Sequence, residues 1–183
     1  MMQIEGKTPL ETINGLVDAT PAEAIQTAPA TSTFHRGFTN KQDQLCFNIH
    51  TRAHYESELI SKNETAHNLI LAGASVEQAD ILSAISRAES GSQLNCFGDD
   101  DAKYYGKPTN DGRHWGESYG LFQIRTIIEA SGTGECRDIE RLKLNIVEQS
   151  KCAMELSAGG TKFSPTWSTY TNGKYRQWLG QTW

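Results

Sequence analysis

The segment GASVEQADILSAISRAESG, residues 73–91, constrains the fold more than any other part of the chain. Ser75 and Gln78 have the spacing of a capping box, in which each side chain bonds the backbone amide of the other residue. Behind this cap, apolar residues recur at spacings of three, at Val76, Ala79, Leu82 and Ile85. Gly91 is typical of a helix end. The segment therefore predicts a helix that begins after Ser75, ends at Gly91 and packs one face against a core.

Glu89 falls on the apolar side of this predicted helix. Positions 82, 85 and 89 share one face, because spacings of three and four residues return to the same side of a helix. Partial burial disfavours the charged carboxylate, and the negative end of the helix dipole acts in the same direction, so we expect a raised pKa for Glu89. A raised pKa suits a general acid that works near neutral pH. The ordinary alternative is a solvated glutamate in the last turn before a glycine.

Length and charge exclude several classes of protein. The 183 residues allow one compact domain plus an appendage. A net charge of −5 without a block of Lys and Arg disfavours binding to nucleic acid through many phosphates. No stretch approaches the roughly 18 consecutive apolar residues of a membrane span, and the first residues lack the pattern of a signal peptide. We therefore expect synthesis in the cytoplasm, no nucleic acid sequence recognition and no membrane span.

The four cysteines lack CxxC spacing, which argues against a zinc site or a redox motif. They stand at Cys46, Cys96, Cys136 and Cys152. Their even number permits disulfides, but a chain made in a reducing cytosol usually keeps its thiols. The sequence thus predicts mostly free, buried cysteines.

His50 and His54 lie four residues apart, with Glu58 four further on, which is a spacing that helical metal sites use. The chain has no HExxH motif, no calcium-loop pattern and no glycine-rich phosphate loop. We interpret the two histidines as part of an exposed or packing helix face, and we expect neither a metal nor a cofactor.

The first 70 residues are predicted to form an arm. Thr8 and Thr20 are each followed by a proline and, two positions later, by a glutamate, Glu11 or Glu23, and both starts predict short helices. Residues 27–44 are rich in Thr, Pro, Gly and Asn and predict an extended linker. Apolar spacing from residue 43 to residue 71 favours one or two amphipathic helices.

The chain after Gly91 is predicted to be loop-rich before it returns to helix. Turn signals that include NDG at 110–112 precede SYGLFQI at 118–124, which predicts a short strand or a turn and strand. A further helix that stops at Gly159-Gly160 is predicted from the apolar residues Leu144, Val147, Cys152 and Leu156. The tail is rich in aromatic residues.

Three motifs in this order resemble a known family. AISRAESGS, SYGLFQI and WSTYTNGKYRQWL resemble the lysozyme-like domain of soluble lytic transglycosylases, especially the versions in bacteriophage tail and virion proteins. The resemblance covers about residues 76–180. It implies a mainly α, α+β lysozyme-like fold with a small loop or β lobe beside a helical lobe. The domain would span residues 71–183, behind a helical and extended N-terminal arm of residues 1–70.

The resemblance also implies site residues. Glu89 would be the catalytic acid and base, and Ser90 would orient it. The substrate-binding residues implied are Ser90, Ser118, Tyr119, Gly120, Leu121, Gln123, Trp167 and Tyr170. The missing side chain at Gly120 would let a ligand approach the backbone, and Gln123 offers a donor and an acceptor to an N-acetyl sugar. Core packing is the alternative for Tyr170, Trp167 and Tyr119.

Whether a second carboxylate takes part is open at this point. Glycoside hydrolysis ordinarily uses two carboxylates, about 5–5.5 Å apart for retention or about 6.5–9.5 Å apart for inversion. Lytic transglycosylases, by contrast, manage with one glutamate and form a 1,6-anhydro end. Glu117, Asp99 and Asp101 are possible second carboxylates. We interpret the aspartates as a solvated acidic loop and Glu117 as a rim residue, and we expect the mechanism with one glutamate.

These implications predict a lytic transglycosylase that cleaves the β-1,4 bond between N-acetylmuramic acid and N-acetylglucosamine in peptidoglycan glycan strands. The phage members of the family and the missing signal peptide predict a virion component, in the tail or inside the particle. It would act at the host cell wall or periplasm for genome entry, with the arm docked to other virion or tail proteins. The alternatives are a hydrolytic muramidase or endolysin, and a structural virion adaptor with a lysozyme-like fold and no catalysis.

Overall fold

The computed structural model describes residues 46–48, 53–98 and 103–183. The predicted short helices after Thr8 and Thr20 and the predicted linker 27–44 lie outside the described residues. In chain order the elements are β1 (Cys46–Asn48), β2 (Ala53–Tyr55), α1 (Lys62–Leu71), α2 (Val76–Ser90), β3 (Trp115–Tyr119), β4 (Ile124–Ile127), a 3-10 helix (Ile128–Ala130), α3 (Ile139–Leu142), α4 (Ile146–Leu156), α5 (Ser168–Thr171) and a second 3-10 helix (Lys174–Trp178).

Helix α2 has the predicted boundaries. Ser75 Oγ accepts from the Gln78 amide at 3.2 Å, and Gln78 Oε1 accepts from the Ser75 amide at 2.8 Å, so the capping box is confirmed. Gly91 ends the helix in the left-handed conformation with φ 67°. The predicted core stripe is fully buried apart from its first member, since Val76 in the first turn is 78% exposed.

The helical lobe forms around α2. Helix α1 packs against both α2 and α4, and the second 3-10 helix packs along α2. The core between these elements contains Leu69, Leu82, Ile85, Leu121, Phe122 and Leu142, all with 0% exposure. None of the helices in the described part of the chain is long and apolar enough to span a membrane.

The small β lobe is an antiparallel pair of strands. Ser118 pairs with Arg125 and Tyr119 with Ile124, so β3 and β4 are joined by a tight turn at 120–123. The prediction of a strand and turn at SYGLFQI is therefore confirmed. Together the helical lobe and this hairpin confirm the mainly α, α+β lysozyme-like fold.

The prediction of helix between residues 43 and 60 is wrong where the structure describes it. Strands β1 and β2 form an antiparallel pair in which Cys46 opposes Tyr55. Three-residue strands are too short to show a period of two, so loosely spaced apolar residues mimic a helical pattern. His54 lies in β2, and His50 lies outside the described residues. The helical histidine face is therefore not formed, and no cluster of metal-ligating side chains occurs within the described ranges.

Helix α4 is confirmed, but only part of its predicted apolar stripe is buried, because Cys152 lies in the core whereas Leu144 and Val147 do not. Leu144 and Val147 are 68% and 37% exposed, whereas Gln149, Cys152 and Ala153 are buried. The helix begins at Ile146, capped by Asn145, and its regular part ends at Leu156, before Gly159. The buried face is hard to recognise in the sequence, because the buried residue Gln149 is polar.

The expectation of mostly free cysteines is wrong. Disulfides join Cys46 to Cys96 and Cys136 to Cys152, and none of the four cysteines is a free thiol. The fold brings the two Cα pairs to 5.3 and 4.9 Å, within the range that a disulfide requires. The first disulfide ties β1 to the loop after α2, and the second ties the loop before α3 to α4.

Candidate active site

A cleft of about 730 Å³ lies where the end of α2, the β3–β4 hairpin and the start of α5 meet. Its lining consists of Glu89, Gly98, Tyr104, Ser118, Gln123, Arg125, Pro165, Thr166, Trp167 and Ser168. Each of the three motifs recognised in the sequence therefore contributes to one cavity, although they are separated by tens of residues.

Glu89 lies in the last turn of α2, and hydrogen bonds from a residue of α5 hold its carboxylate in place. Thr169 donates from its hydroxyl to Glu89 Oε1 at 2.6 Å, and the Thr169 amide lies 3.4 Å from the same oxygen. Within the described part of the chain, Glu89 Oε2 accepts no hydrogen bond. One oxygen is thus held in place while the other is available to a ligand in the cleft.

Burial raises the pKa of Glu89 above its ordinary value. The two hydrogen bonds from Thr169 and the positive charge of Lys174 oppose this rise without cancelling it. The C-terminal end of α2 adds a negative partial charge that also favours the neutral acid. The raised pKa expected from the sequence is confirmed, and its main cause is the desolvation that the position on the apolar face predicted.

Ser90 lies behind the cleft and is buried. Its Oγ is 2.8 Å from the carbonyl oxygen of Leu121 and 3.1 Å from that of Ser86, and it accepts from the Gln93 amide at 3.2 Å. It is absent from the cleft lining. Ser90 therefore joins the end of α2 to the β3–β4 turn, which fixes the position of the neighbouring Glu89 relative to the hairpin.

Two residues of the central motif, Ser118 and Gln123, line the cleft. Gln123 Nε2 donates to the carbonyl oxygens of Cys96 and Gly120, both at 3.0 Å. Because the amide nitrogen is engaged with the protein, the side-chain oxygen Oε1 has a fixed orientation. Cys96 thus links the first disulfide to a cleft-lining side chain.

Tyr119, Gly120 and Leu121 are part of the support of the cleft. Leu121 is fully buried, and Tyr119 is 5% exposed. The Tyr119 hydroxyl donates to Asn95 Oδ1 at 3.2 Å, its ring packs edge-on against Phe97, and burial raises its pKa to about 12. None of the three belongs to the residues that line the cavity.

Gln149, which the sequence reasoning missed, explains the glycine at 120. Its side chain is 1% exposed. Oε1 accepts from the Leu121 amide at 2.8 Å, and Nε2 donates to the carbonyls of Leu94 at 2.9 Å and Leu142 at 3.0 Å. A Cβ on Gly120, whose φ is 78°, would lie 2.2 Å from Gln149 Oε1. The space beside Gly120 is therefore filled by Gln149. Apolar spacing carried no signal for this contact, because Gln149 is polar and bonds backbone groups of distant segments.

The two aromatic candidates of the tail, Trp167 and Tyr170, have different surroundings. Trp167 is 2% exposed and donates from Nε1 to the Phe122 carbonyl at 2.7 Å, so it combines core packing with a place in the cleft wall. Tyr170 packs between the rings of Phe163 and Tyr175, with centroids 5.0 and 4.8 Å away. Tyr170 thus packs among aromatic rings, which was the alternative for it, and the side chain that donates to Glu89 is its neighbour Thr169.

Glu89 is the one carboxylate among the lining residues that the structure describes. Glu117 is half-buried but does not belong to that lining. Asp99 and Asp101 lie outside the described residues, while Gly98 and Tyr104 on either side of them in sequence line the cleft.

Tyr104 and Arg125 form a wall that the sequence did not predict. The Arg125 guanidinium lies over the Tyr104 ring at 4.7 Å from its centroid, and both residues line the cleft. A planar aromatic and guanidinium surface of this kind can pack against a sugar ring while it supplies donors to the hydroxyls.

Comparison with known proteins agrees with this geometry. A family model described as a lysozyme-like domain matches residues 66–169, which is more than half of the chain. The match begins in α1 and ends at Thr169, so it contains Glu89 and the central motif. No curated protein matches the chain.

Proposed function

The chain belongs to the lysozyme-like domain family, whose members cleave glycosidic bonds in peptidoglycan, and from this premise we propose that it is a lytic transglycosylase. The bond that it would cleave is the β-1,4 linkage between N-acetylmuramic acid and N-acetylglucosamine. The observation that supports this proposal best is Glu89, an acid of raised pKa in a large cleft, with no second carboxylate among the described lining residues.

The proposed reaction uses Glu89 twice. The protonated carboxyl gives its proton to the glycosidic oxygen, and the bond between that oxygen and the muramyl C1 breaks. The resulting carboxylate then takes the proton of the muramyl C6 hydroxyl while that oxygen bonds to C1. The products are a free 4-hydroxyl and a 1,6-anhydro ring, no water is consumed, and Glu89 is protonated again. The raised pKa supports the first step, because it increases the protonated fraction near neutral pH.

Gln123 is suited to hold the N-acetyl group of the substrate. Its nitrogen donates to the Cys96 and Gly120 carbonyls. Oε1 remains as the acceptor and can bind the N–H of an acetamido group. A fixed acceptor of this kind lowers the entropy cost of positioning the sugar beside Glu89.

The test is a product analysis on purified peptidoglycan. Wild type should release fragments that lack one water relative to hydrolytic products, and Glu89→Gln should release none. Glu117→Gln is the matched control, since it removes a carboxylate from outside the cleft lining, and it should keep its activity. If only reducing ends are found, the transglycosylase proposal is wrong.

A hydrolytic muramidase is the second candidate, because Asp99 and Asp101 follow the cleft residue Gly98 closely in sequence. A hydrolase would need one of them as base or nucleophile. Asp99→Asn combined with Asp101→Asn should abolish hydrolysis but leave anhydro-product formation intact. Wild-type protein that never cleaves peptidoglycan would instead favour the structural adaptor.

We further propose that the protein is a virion component that acts at the host cell wall or periplasm. Two points support this: the order of the motifs resembles phage tail and virion proteins, and two disulfides suit an oxidising compartment. The part of the predicted arm that precedes Cys46 would dock to other virion or tail proteins, since Cys46 is bonded to Cys96 and α1 packs against α2 and α4. Peptides of the chain and its clearing activity should be found in purified particles, and their absence from particles would contradict this role.

A further inference from the structure

A second cavity, of about 320 Å³, lies at the far end of the β3–β4 hairpin. Trp115 and Ile127, which face each other across the two strands, line it together with the loop 108–113 and Arg137. Ser118, three residues along β3, lines the first cleft. At about 3.3 Å per residue the two cavities are separated by about 10 Å along the strand.

Arg137 gives this cavity its charge. Its guanidinium lies 5.2 Å from the Trp115 ring centroid, and Nη1 donates to the Arg125 carbonyl at 2.5 Å. Burial, together with the positive charges of Arg113 and Arg125, lowers the pKa of Arg137. A half-buried cation that neighbouring cations repel gains free energy when an anion enters, because the anion offsets both the burial and the repulsion.

Arg113, by contrast, is already neutralised. It donates to Asp111 Oδ2 at 2.9 Å and to Glu135 Oε2 at 2.8 Å. These two acids keep the net positive charge of the cavity low, so a single carboxylate fits it better than a doubly charged phosphate does. The apolar surfaces of Pro108, Trp115 and Ile127 suit an aliphatic segment attached to that carboxylate.

We propose that this cavity binds a carboxylate of the peptide stem that peptidoglycan carries on its muramyl residues. Arg137 pairs with the carboxylate, and Trp115 contacts the adjoining aliphatic part. The inference rests on the proposed function, since a glycan in the first cleft brings its peptide to the hairpin. Three extended residues span about 10 Å, so a carboxylate on the second or third residue of the stem reaches the cavity.

Binding is measured first, because it does not depend on catalysis. The probe is the synthetic tripeptide L-alanyl-γ-D-glutamyl-meso-diaminopimelate, titrated calorimetrically into full-length Glu89→Gln. Addition of Arg137→Gln should weaken binding at least tenfold, and so should amidation of the tripeptide carboxylates. Equal binding of the free and the amidated peptide overturns the inference.

A second variant covers the case in which Arg137→Gln does not fold. Asn110 is exposed and lines the cavity, so Asn110→Asp adds a negative charge with almost no change of shape. It should weaken tripeptide binding severalfold, and Asn172→Asp, an exposed asparagine outside the cavity lining, is its matched control. Unchanged binding by Asn110→Asp counts against the cavity as the site.

Turnover separates this inference from the proposed function. Wild type should cleave peptide-bearing glycan with a KM about tenfold lower than that for glycan stripped by an amidase, and Arg137→Gln should lose this difference in KM between the two substrates. If wild type cleaves both substrates equally well, the peptide site is wrong and the transglycosylase stands. If it cleaves neither, the proposed function fails, whereas the tripeptide titration still decides the peptide site.

Discussion

Thr169 donates a hydrogen bond of 2.6 Å to Glu89 Oε1, although the two residues are 80 positions apart. The bond joins the end of α2 to the start of α5. It fixes one carboxylate oxygen and partly offsets the rise in pKa that burial causes. The same contact therefore affects both the orientation and the protonation of the proposed acid.

Thr169→Val should reduce kcat about tenfold, the equivalent of about 1.4 kcal/mol in the barrier. Valine keeps the shape of threonine but removes the hydroxyl that holds Oε1. The loss of this donor should also raise the pKa of Glu89 further, so the fall of activity at alkaline pH moves to a higher pH. Thr169→Ser keeps the hydroxyl and is the control. A pH profile of turnover checks the prediction, and an unshifted alkaline limb in Thr169→Val would contradict it.

Glu89→Gln should stabilise the folded protein near neutral pH. The folded state raises the pKa of Glu89, so it binds this proton more tightly than the unfolded chain does. By linkage, the stability that this proton contributes is fully present below the pKa of Glu89 in the unfolded chain. It is lost as the pH rises through the pKa of Glu89 in the folded protein. Glutamine at this position does not ionise, so the variant keeps its stability where the wild type loses it. The Tm difference between variant and wild type should therefore be larger at pH 7 than below about pH 4.3, and a pH-independent difference would count against the raised pKa.

Gly120→Ala should lower the free energy of unfolding by about 2–5 kcal/mol, because a strained φ and a collision with Gln149 add together. Gly132→Ala is a matched control: it has the same φ of 78° and nothing within 4 Å of an added Cβ. That control should cost only about 1–2 kcal/mol. Urea unfolding of both variants checks the prediction. Equal losses would mean that Gln149 does not restrict position 120.

Removal of the Cys46–Cys96 disulfide should affect activity as well as stability. The Cys96 carbonyl accepts from the Gly120 amide at 2.8 Å and from Gln123 Nε2 at 3.0 Å, so a mobile Cys96 loosens the cleft wall. Cys46→Ser with Cys96→Ser should lose about 4 kcal/mol of stability and about tenfold in kcat/KM.

The second disulfide provides the control for this experiment. Cys136 and Cys152 are absent from the cleft lining, so Cys136→Ser with Cys152→Ser should lose about 3 kcal/mol of stability and keep its kcat/KM at low temperature. Thermal unfolding and turnover are measured on both double variants. If the two pairs affect turnover equally, the link from Cys96 to the cleft is wrong.

Local patterns predicted the parts of the molecule that local physics determines. The capping box of Ser75 and Gln78, the end of α2 at Gly91 and the burial of Glu89 all depend on residues within one helix, where spacing defines the face. The turn between β3 and β4 was predicted for the same reason. These elements are confirmed, and with them the raised pKa of the proposed acid.

Long-range contacts could not be predicted in this way. Thr169 meets Glu89 only after α5 has packed on α2, and the pairing of the cysteines depends on which loops the fold brings together. Strand β1 has too few residues to show a period, so its apolar residues resembled a helix. Gln149 stands on a helix face that apolar spacing alone could not identify, because its partners are backbone groups of distant segments.

The side chain of Gln149 has a consequence for the motions of the cleft. Its three hydrogen bonds join the β3–β4 turn, the loop after α2 and the end of α3 through a single buried amide. No one of these segments can move away without leaving a buried polar group unpaired, so small independent fluctuations are suppressed. The Leu121 amide should then exchange with deuterium as slowly as the slowest amides of α2. These three segments would therefore keep their positions relative to one another on the timescale of turnover, and they would separate only when the whole domain unfolds.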